Sequence, residues 1–409
     1  MNPDFDYAAY EKEVVAGLMS GKGLIGEEGL LKPLIARFVE SALEAELSAH
    51  LLEEKASDGQ VPNKRNGRRS KSIRSEAGQI DIGYSRDRMG SFEPVTVGKR
   101  QHELAAGFDK QILELYAMSN SLSDISLHLE RMYGAQMSEA RISSVINATW
   151  EVVSAWHKRP LPACYVVLFV DAVHIPVCRN GHYAKVAVYV VYGITVEGTR
   201  EVVALYVGQG GESATEWGRC LQDIKNRGVE DVLHICSDGL AGLHEILCEA
   251  FPLSSIQRCV VHKMRNCMRL VDDKDSRQVV RQLKEVYTAV NEAQARVRLE
   301  DFAAFWKGKY DCIVQLWEKD WTELMACMGL GVELRKITYT TNAIENLNRE
   351  IRRVTKAKGG WASDRALLIQ LHLSLDRRKD SWHKKIRAWA AVRRELIDTY
   401  GERFTKHLN

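Results

Sequence analysis

The sequence predicts an α/β protein with a mixed five-stranded sheet, interrupted by an all-helical segment and preceded by a helical, helix-turn-helix-like N-terminal region. Three observations lead to this fold class. Three apolar, β-rich segments follow one another between residues 164 and 208, separated by short turn sequences. Helix and strand patterns then alternate up to residue 262, and only amphipathic helical patterns occur from 265 to 334. The α/β unit resumes at Tyr339.

The length and composition indicate a globular intracellular protein. With 409 residues and 45% apolar content, the chain can form two to four domains. No apolar run approaches the roughly 20 residues that span a bilayer, and the acidic start lacks the basic and apolar regions of a signal peptide. Nine cysteines, an odd number without a C-x-x-C pair, are typical of reduced thiols. We expect a cytoplasmic protein with no membrane partner.

The N-terminal part combines an amphipathic helix with a basic module. Apolar residues repeat at helical intervals over residues 30–54. Residues 63–74 contain six Lys or Arg and no acid, and Ile80 and Ile82 then alternate with polar residues as in a short strand or hairpin. A basic cluster of this kind can contact phosphates. The candidate DNA-binding residues here are Lys64, Arg65, Arg68, Arg69 and Lys71.

Residues 102–158 return to helical patterns broken by short turns. The order of helix, turn, helix, a "YGAQMS" turn and helix resembles a helix-turn-helix, with residues 138–147 as the recognition helix. Three-helix arrangements also serve as plain packing units, so DNA binding and scaffolding both remain open for this segment.

The predicted sheet begins with a three-stranded antiparallel meander over residues 164–177, 182–196 and 200–208, joined by "RNG" and "EGT" turns. Ser213 and Glu216 form a capping box for a helix that ends on Gly228. A buried strand that stops at Asp238, a helix over 240–250 and a fifth strand over 254–262 complete the unit.

The remaining helical segment is rich in tryptophan. Trp306, Trp317 and Trp321 are more often core residues than platforms for unpaired bases, although both roles are open. The predicted domains are an N-terminal helical segment, a small basic β-containing module, a helix-turn-helix-like DNA-binding domain, the first part of the α/β core, an all-α insertion, and the second part of the core with C-terminal helices. Their boundaries are 1–60, 61–104, 105–160, 161–264, 265–335 and 336–409.

One acid, Glu345, lies in a helix that is otherwise rich in amides and arginines. Ile344, Leu347, Ile351 and Val354 form an apolar stripe on this helix, which Thr341 can cap. A neighbouring face carries Asn342, Glu345, Arg349 and Arg352. An ion pair between Glu345 and Arg349 on a solvated face would explain this acid without any function.

Two further acids belong to the predicted sheet. Asp171 lies inside an apolar strand, where a charge is costly unless it is compensated, and Asp238 closes another strand. If these strands are neighbours, the two carboxylates converge, and a shared divalent cation would relieve their repulsion. Glu345 would then be the third ligand. The alternatives are an ion pair of Asp171 with Arg179 or Lys185, and an ordinary turn that Asp238 caps.

Several motifs together give the chain a family resemblance. "FVDAVHIPV", "EVVALYVG", "CSDGLAGLHEIL", "QRCVVHKMRN" and "YTTNAIENLNREIRRV" occur in the order found in the Mutator-type transposases of bacterial insertion sequences, a DDE family, and the likeness covers nearly the whole chain. The resemblance implies a ribonuclease-H-like catalytic core, an α-helical insertion before the third acid, and Asp171, Asp238 and Glu345 as the catalytic, metal-binding triad.

A C-x-x-H pair, Cys259 and His262, follows the second acid. A structural zinc site needs four ligands and no second pair is evident, so zinc is the weaker alternative. In the resembled family this motif follows the second acid, which favours a role in ordering the active site, while simple packing of Cys259 remains open. Asn342 is a further candidate for active-site support.

The resemblance implies a magnesium-dependent DNA transposase of the bacterial nucleoid. We expect two Mg²⁺ ions, replaceable by Mn²⁺, and double-stranded DNA partners, namely the inverted repeats at the element's ends and target DNA. Arg349, Arg352, Arg353 and Lys356 would contact phosphates. Coordinated cutting of both ends requires a homo-oligomer, most simply a dimer. A stand-alone nuclease and a DNA-binding regulator without chemistry are the rival functions.

Overall fold

The computed structural model describes residues 5–26, 28–56, 63–75, 77–99, 101, 107–133, 137–339, 342–383 and 385–408. The chain divides into two compact units, Met1–Ala148 and Thr149–Asn409. Among the helices in these ranges, none is long and apolar enough to cross a membrane.

The first unit opens with helices and a β-hairpin. Helices α1 (Tyr7–Met19) and α2 (Lys32–Ala56) precede strands β1 (Arg65–Ser75) and β2 (Gly78–Asp87), which pair antiparallel. The basic stretch itself therefore forms the first strand of the hairpin, to which the sequence analysis assigned no structure. Helix α2 packs on the hairpin through a small apolar core made of Val39, Leu43, Ile73, Ile80 and Ile82.

Three short helices complete the first unit. They are α3 (Gly107–Ala117), α4 (Leu122–Tyr133) and α5 (Glu139–Ala148), and each contributes fully buried apolar side chains such as Ile112, Ile125 and Ile142. Residues 134–136 of the predicted turn lie outside the described part of the chain. The helix-turn-helix identity of this trio stays a prediction.

The second unit is built on a mixed five-stranded sheet, as predicted. After helix α6 (Trp150–Lys158) come the strands β3 (Cys164–Arg179), β4 (His182–Thr195), β5 (Arg200–Val207), β6 (Asp231–Ser237) and β7 (Ser255–Arg258). Their spatial order is β5-β4-β3-β6-β7. The first three strands pair antiparallel, whereas β6 and β7 run parallel to β3.

Local sequence explains the turns and caps of this sheet. Asn180 and Gly181 both adopt positive φ, +50° and +82°, which the tight turn between β3 and β4 requires. The Ser213 side chain accepts a hydrogen bond from the backbone N–H of Glu216 and so caps helix α7 (Ala214–Asn226). The helix therefore begins where the capping box predicts.

Both faces of the sheet are covered, which accounts for the nearly continuous apolar character of the central strands. Helices α7 and α8 (Leu243–Ala250) cover one face through residues such as Trp217 and Leu247. The other face packs against helices from the end of the chain, among them α15 (Asn342–Lys356), α16 (Asp364–Asp376) and α18 (Trp389–Tyr400). The short helices α17 (Lys379–Trp382) and α19 (Glu402–Thr405) complete this part.

Between the sheet and α15 the described chain is helical. The elements are α9 (Val260–Met268), α10 (Asp273–Tyr287), α11 (Glu292–Phe305), α12 (Asp311–Lys319), α13 (Trp321–Met325), a 3-10 helix (Ala326–Gly329) and α14 (Val332–Tyr339). The fifth strand is shorter than predicted, because Cys259 caps α9 and the chain turns helical at Val260.

The three tryptophans of this helical segment are core residues. Trp306, Trp317 and Trp321 are at most 8% exposed and lie in one apolar cluster with residues of α9 to α13. Arg258 at the end of β7 pairs with Asp320 (2.8 Å) and Glu323 (2.8 Å), and buried Lys263 also binds Asp320. These ion pairs connect the helical segment to the edge of the sheet.

Candidate functional site

Two of the predicted acids lie side by side on neighbouring strands. Strands β3 and β6 pair in parallel with Phe169 opposite Cys236. Continuing this register by two residues brings Asp238, the first residue after β6, alongside Asp171. The condition set by the sequence analysis, that these two strands be neighbours, is therefore met at the carboxyl end of β6, where sites of α/β sheets form.

The Asp171 carboxylate is buried, with only 6% of the residue exposed. Its Oδ1 accepts a hydrogen bond from the N–H of Ala172 (2.9 Å), and its Oδ2 accepts one from the side-chain amide of Asn348. Nε2 of His262 lies 3.9 Å from the same Oδ2. Of the two alternative ion-pair partners, Arg179 pairs instead with Asp364 at 2.7 Å, and Lys185 lies opposite Pro176 in the pairing of β3 with β4.

Burial and charge together set the protonation of Asp171. Desolvation raises its pKa, and the negative charge of Asp238 raises it further, while the nearby His262 and Arg352 act in the opposite direction. The result is a carboxyl whose pKa lies above its ordinary value. A divalent cation shared with Asp238 would remove this electrostatic cost.

Asp238 is partly exposed and combines two roles. Its Oδ1 accepts a hydrogen bond from the backbone N–H of Leu240 at 3.2 Å, so it forms the turn that the sequence analysis gave as the alternative. A carboxylate has a second oxygen, so this turn does not consume its capacity to bind a cation.

Glu345 lies one helix away, on the edge of a basic groove. The apolar stripe of α15 is confirmed, since Ile344, Leu347, Ile351 and Val354 are all buried. Glu345 Oε1 accepts a hydrogen bond from Arg265 on α9 at 2.7 Å rather than pairing with Arg349. The groove, of about 360 Å³, is lined by Arg265, Glu345, Arg349, Arg352, Arg353 and Lys356.

The three acids do not all meet at ligation distance. Within the described chain, the one group of three or more potential ligand atoms within 4.8 Å of one another is Cys164, Asp231 and His407, where Cys164 and Asp231 lie at the opposite end of β3 and β6. There, Arg403 already donates to both Asp231 oxygens, at 2.8 Å and 2.7 Å. The triad assignment of Asp171, Asp238 and Glu345 therefore stays a prediction.

The support residues are placed as follows. Cys259 is buried at the start of α9, where burial raises the pKa of its thiol to about 11, with further contributions from the charges of Asp171 and Glu345. His262, one turn later, reaches Asp171. The side chain of Asn342 and the capping residue Thr341 lie outside the described part of the structure.

The candidate DNA-binding residues of the hairpin differ in their ion pairs, hydrogen bonds and exposure. Arg65 pairs with Glu44 at 2.7 Å, and Arg68 lies 3.6 Å from Glu40. Lys71 donates to the Gly98 carbonyl, and burial lowers its pKa. Lys64 and Arg69 are exposed. Binding of DNA by these residues stays a prediction.

Sequence reasoning missed three residues of this site. Asn348 follows Leu347 of the apolar stripe and carries no charge that would mark it as a site residue. Arg265 belongs to α9, and the sequence does not show that this helix lies next to Glu345. Glu212 follows a glycine-rich stretch without any acidic motif. Its pKa is raised to about 7, mainly by burial and then by the Asp238 charge, with a smaller contribution from Asp171, although Trp217 Nε1 donates to it at 2.8 Å.

The donor set fits a hard divalent cation. Asp171, Asp238 and Glu212 are carboxylates, and the charge of Asp238 raises the pKa of both Asp171 and Glu212. Oxygen is the ligand that Mg²⁺ and Mn²⁺ prefer. The buried Oδ1 of Asn348 finds no hydrogen-bond donor among the described residues. A bound cation would offset the repulsion among these carboxylates.

Comparisons with known proteins find similarity to transposases. The family model described as "Transposase, Mutator family" matches residues 11–385. The transposase for insertion sequence element ISRM3 of Rhizobium meliloti is 34% identical over 400 residues, which cover 97% of this chain and 99% of that relative. A probable transposase for an ISRM3-like element of Sinorhizobium fredii is 33% identical over the same length.

Among solved structures, the Drosophila P element transposase strand transfer complex aligns with 72% of this chain and 87% of that chain. The TM-score is 0.30 at 10% identity, which does not establish a shared fold.

Proposed function

The chain belongs to the Mutator family of transposases, and from this premise we propose that it is the transposase of an insertion sequence, which cuts the DNA at the ends of its element and joins them to a new site. The proposed substrates are double-stranded inverted repeats and target DNA. The proposed core is ribonuclease-H-like, with residues 265–335 as its helical insertion.

The observation that carries the chemical part of this proposal is the register of β3 and β6, which sets Asp171 beside Asp238. Asp171 and Asp238 would hold one divalent cation between them, and Glu345 would complete a second site after leaving Arg265. When bound, two Mg²⁺ ions, or Mn²⁺ in their place, supply the Lewis acidity that activates an attacking oxygen and stabilises the leaving one.

The other residues act on the DNA and on the acids. Arg349, Arg352, Arg353 and Lys356 line the groove beside Glu345, where their positive charge would bind the phosphates that flank the cut. His262 lies close enough to Asp171 to favour its ionised form. Cys259 would shape the start of α9 so that His262 faces the site.

The central test compares Glu345→Gln with the unaltered chain. Footprinting on the DNA that flanks its gene first locates the ends. We expect the variant to bind these ends as tightly as the unaltered chain and to lose Mg²⁺-dependent cleavage by at least about 1,000-fold, because a third metal ligand is removed. Glu318→Gln, which changes an exposed acid on α12, is the matched control and should cleave normally.

Three results would contradict the proposal. Equal cleavage by Glu345→Gln and the control would exclude Glu345 from the chemistry. A chain that cuts DNA but never joins a pre-cleaved end to plasmid DNA would be a nuclease, and one that binds the ends without any cutting would be a regulator. Analytical ultracentrifugation with end DNA tests the expected dimer.

A further inference from the structure

Asn348 is a buried polar residue on an apolar helix face. It follows Glu345 by three residues, so the two side chains lie about one turn apart on α15. Asn348 is 1% exposed, and its neighbours Leu347 and Ile351 belong to the apolar core beneath the sheet. A buried amide costs free energy unless it is hydrogen-bonded. Its one described partner is the carboxylate of Asp171.

The direction of this hydrogen bond fixes the orientation of the amide. An ionised carboxylate only accepts hydrogen bonds, so Nδ2 of Asn348 must face Asp171 and Oδ1 must face away. That Oδ1 is buried and meets no donor among the described residues. A buried amide with one unpaired polar atom lowers the stability of the fold. Such an atom in a native structure therefore points to a role in a site.

The contact also joins the two parts of the proposed site. Asp171 belongs to β3, and Glu345 belongs to α15, which reaches the sheet only after the helical segment. On the partly exposed side of α15, Glu345 pairs with Arg265. On the buried side of the same helix, Asn348 donates a hydrogen bond to Asp171. We infer that Asn348 is a positioning residue, which orients the Asp171 carboxylate and sets the spacing between it and the Glu345 helix.

This inference rests on the proposed function, because it assumes that Asp171 and Glu345 bind cations. Residues that orient metal ligands typically change metal affinity by about 10- to 100-fold when they are replaced. The dissociation constant for Mn²⁺ should therefore rise by that factor when the amide is lost.

The test uses the full chain and Mn²⁺ alone. Asn348→Leu keeps the branched shape of the side chain and removes the donor, while Ile351→Val trims another buried side chain of α15. Mn²⁺ affinity is measured by electron paramagnetic resonance, and Tm is measured with and without Mn²⁺. A purely structural residue lowers Tm in both conditions but leaves the increase caused by Mn²⁺ unchanged.

We expect Asn348→Leu to lose most of the Mn²⁺-dependent increase in Tm and Ile351→Val to retain it. Mn²⁺ affinity within twofold of the unaltered chain would overturn the inference. If the leucine variant does not fold, Asn348→Ser is measured in the same way and decides the matter. The variant Asp171→Asn distinguishes a failure of this inference from a failure of the proposed function. Unchanged Mn²⁺ binding in that variant would refute the proposed function itself.

Discussion

Replacing Glu212 by glutamine is expected to stabilise the protein at neutral and alkaline pH. Burial and the charges of Asp238 and Asp171 raise the Glu212 pKa from 4.5 to about 7. The folded chain therefore holds this proton more tightly than the unfolded chain does. The stability that results is fully present below about pH 4.5 and is lost as the pH rises through 7.

The magnitude follows from the two pKa values. Their difference of about 2.5 corresponds to about 3 kcal/mol of unfolding free energy as an upper limit. Glu212 is partly exposed, so solvent screening reduces the expected effect to about 1–2 kcal/mol. Glutamine stays neutral and can still accept the hydrogen bond from Trp217. The Glu212→Gln variant should match the unaltered chain near pH 4.5 and exceed it at pH 8.

Urea unfolding between pH 4.5 and 8, in the absence of divalent cations, measures this difference. Glu216→Gln is the control, because Glu216 lies four residues after Glu212, in the first turn of α7, and pairs with Arg219 at 2.6 Å. Its loss should lower stability slightly at neutral pH. If the difference in unfolding free energy between Glu212→Gln and the unaltered chain does not change with pH, the argument is refuted. Added Mg²⁺ should reduce the difference that is seen at pH 8.

Three further predictions concern the second unit. Asp320→Asn should lower the unfolding free energy by about 3 kcal/mol, since it leaves the buried Lys263 ammonium unpaired; a loss below about 0.5 kcal/mol in urea unfolding would contradict this. Arg265→Ala should lower the Mn²⁺ dissociation constant about threefold by releasing Glu345 from a weak exposed ion pair, and calorimetry that shows weaker binding would count against it. Lys356→Ala should reduce the slope of log affinity for DNA against log salt concentration by about 1, and an unchanged slope would exclude a phosphate contact.

The strands and most helices could be predicted because their signals are local. The "RNG" turn and the capping box at Ser213 each determine backbone conformation within a few residues, and the structure places a turn and a helix start there. The mixed sheet followed from the order of these elements. The end of β7 was wrong because Val260 and Val261 favour strands by composition, whereas the Cys259 N–H bonds to Ser237 and the chain then turns helical.

The sequence predicted that Asp171 and Asp238 lie on neighbouring strands, which the strand pairing confirms, whereas their meeting with Glu345 stays a prediction. Asp171 stood out because a charge in an apolar strand needs an explanation, and its neighbour followed from strand order. Asn348, Arg265 and Glu212 could not be found in this way, since each acts through a partner more than 25 residues away in the chain, apart from the local bond of Glu212 to Trp217. Long-range contacts of this kind depend on packing that no short motif encodes.

The helices that cover the second face of the sheet come from the last part of the chain, and one of them, α15, also carries Glu345. A ribosome-bound or truncated polypeptide that ends before residue 342 therefore leaves an apolar sheet face open to chaperones and proteases. The same fragment lacks Glu345. Docking of α15 therefore covers the sheet face and brings Glu345 next to Arg265 in one step.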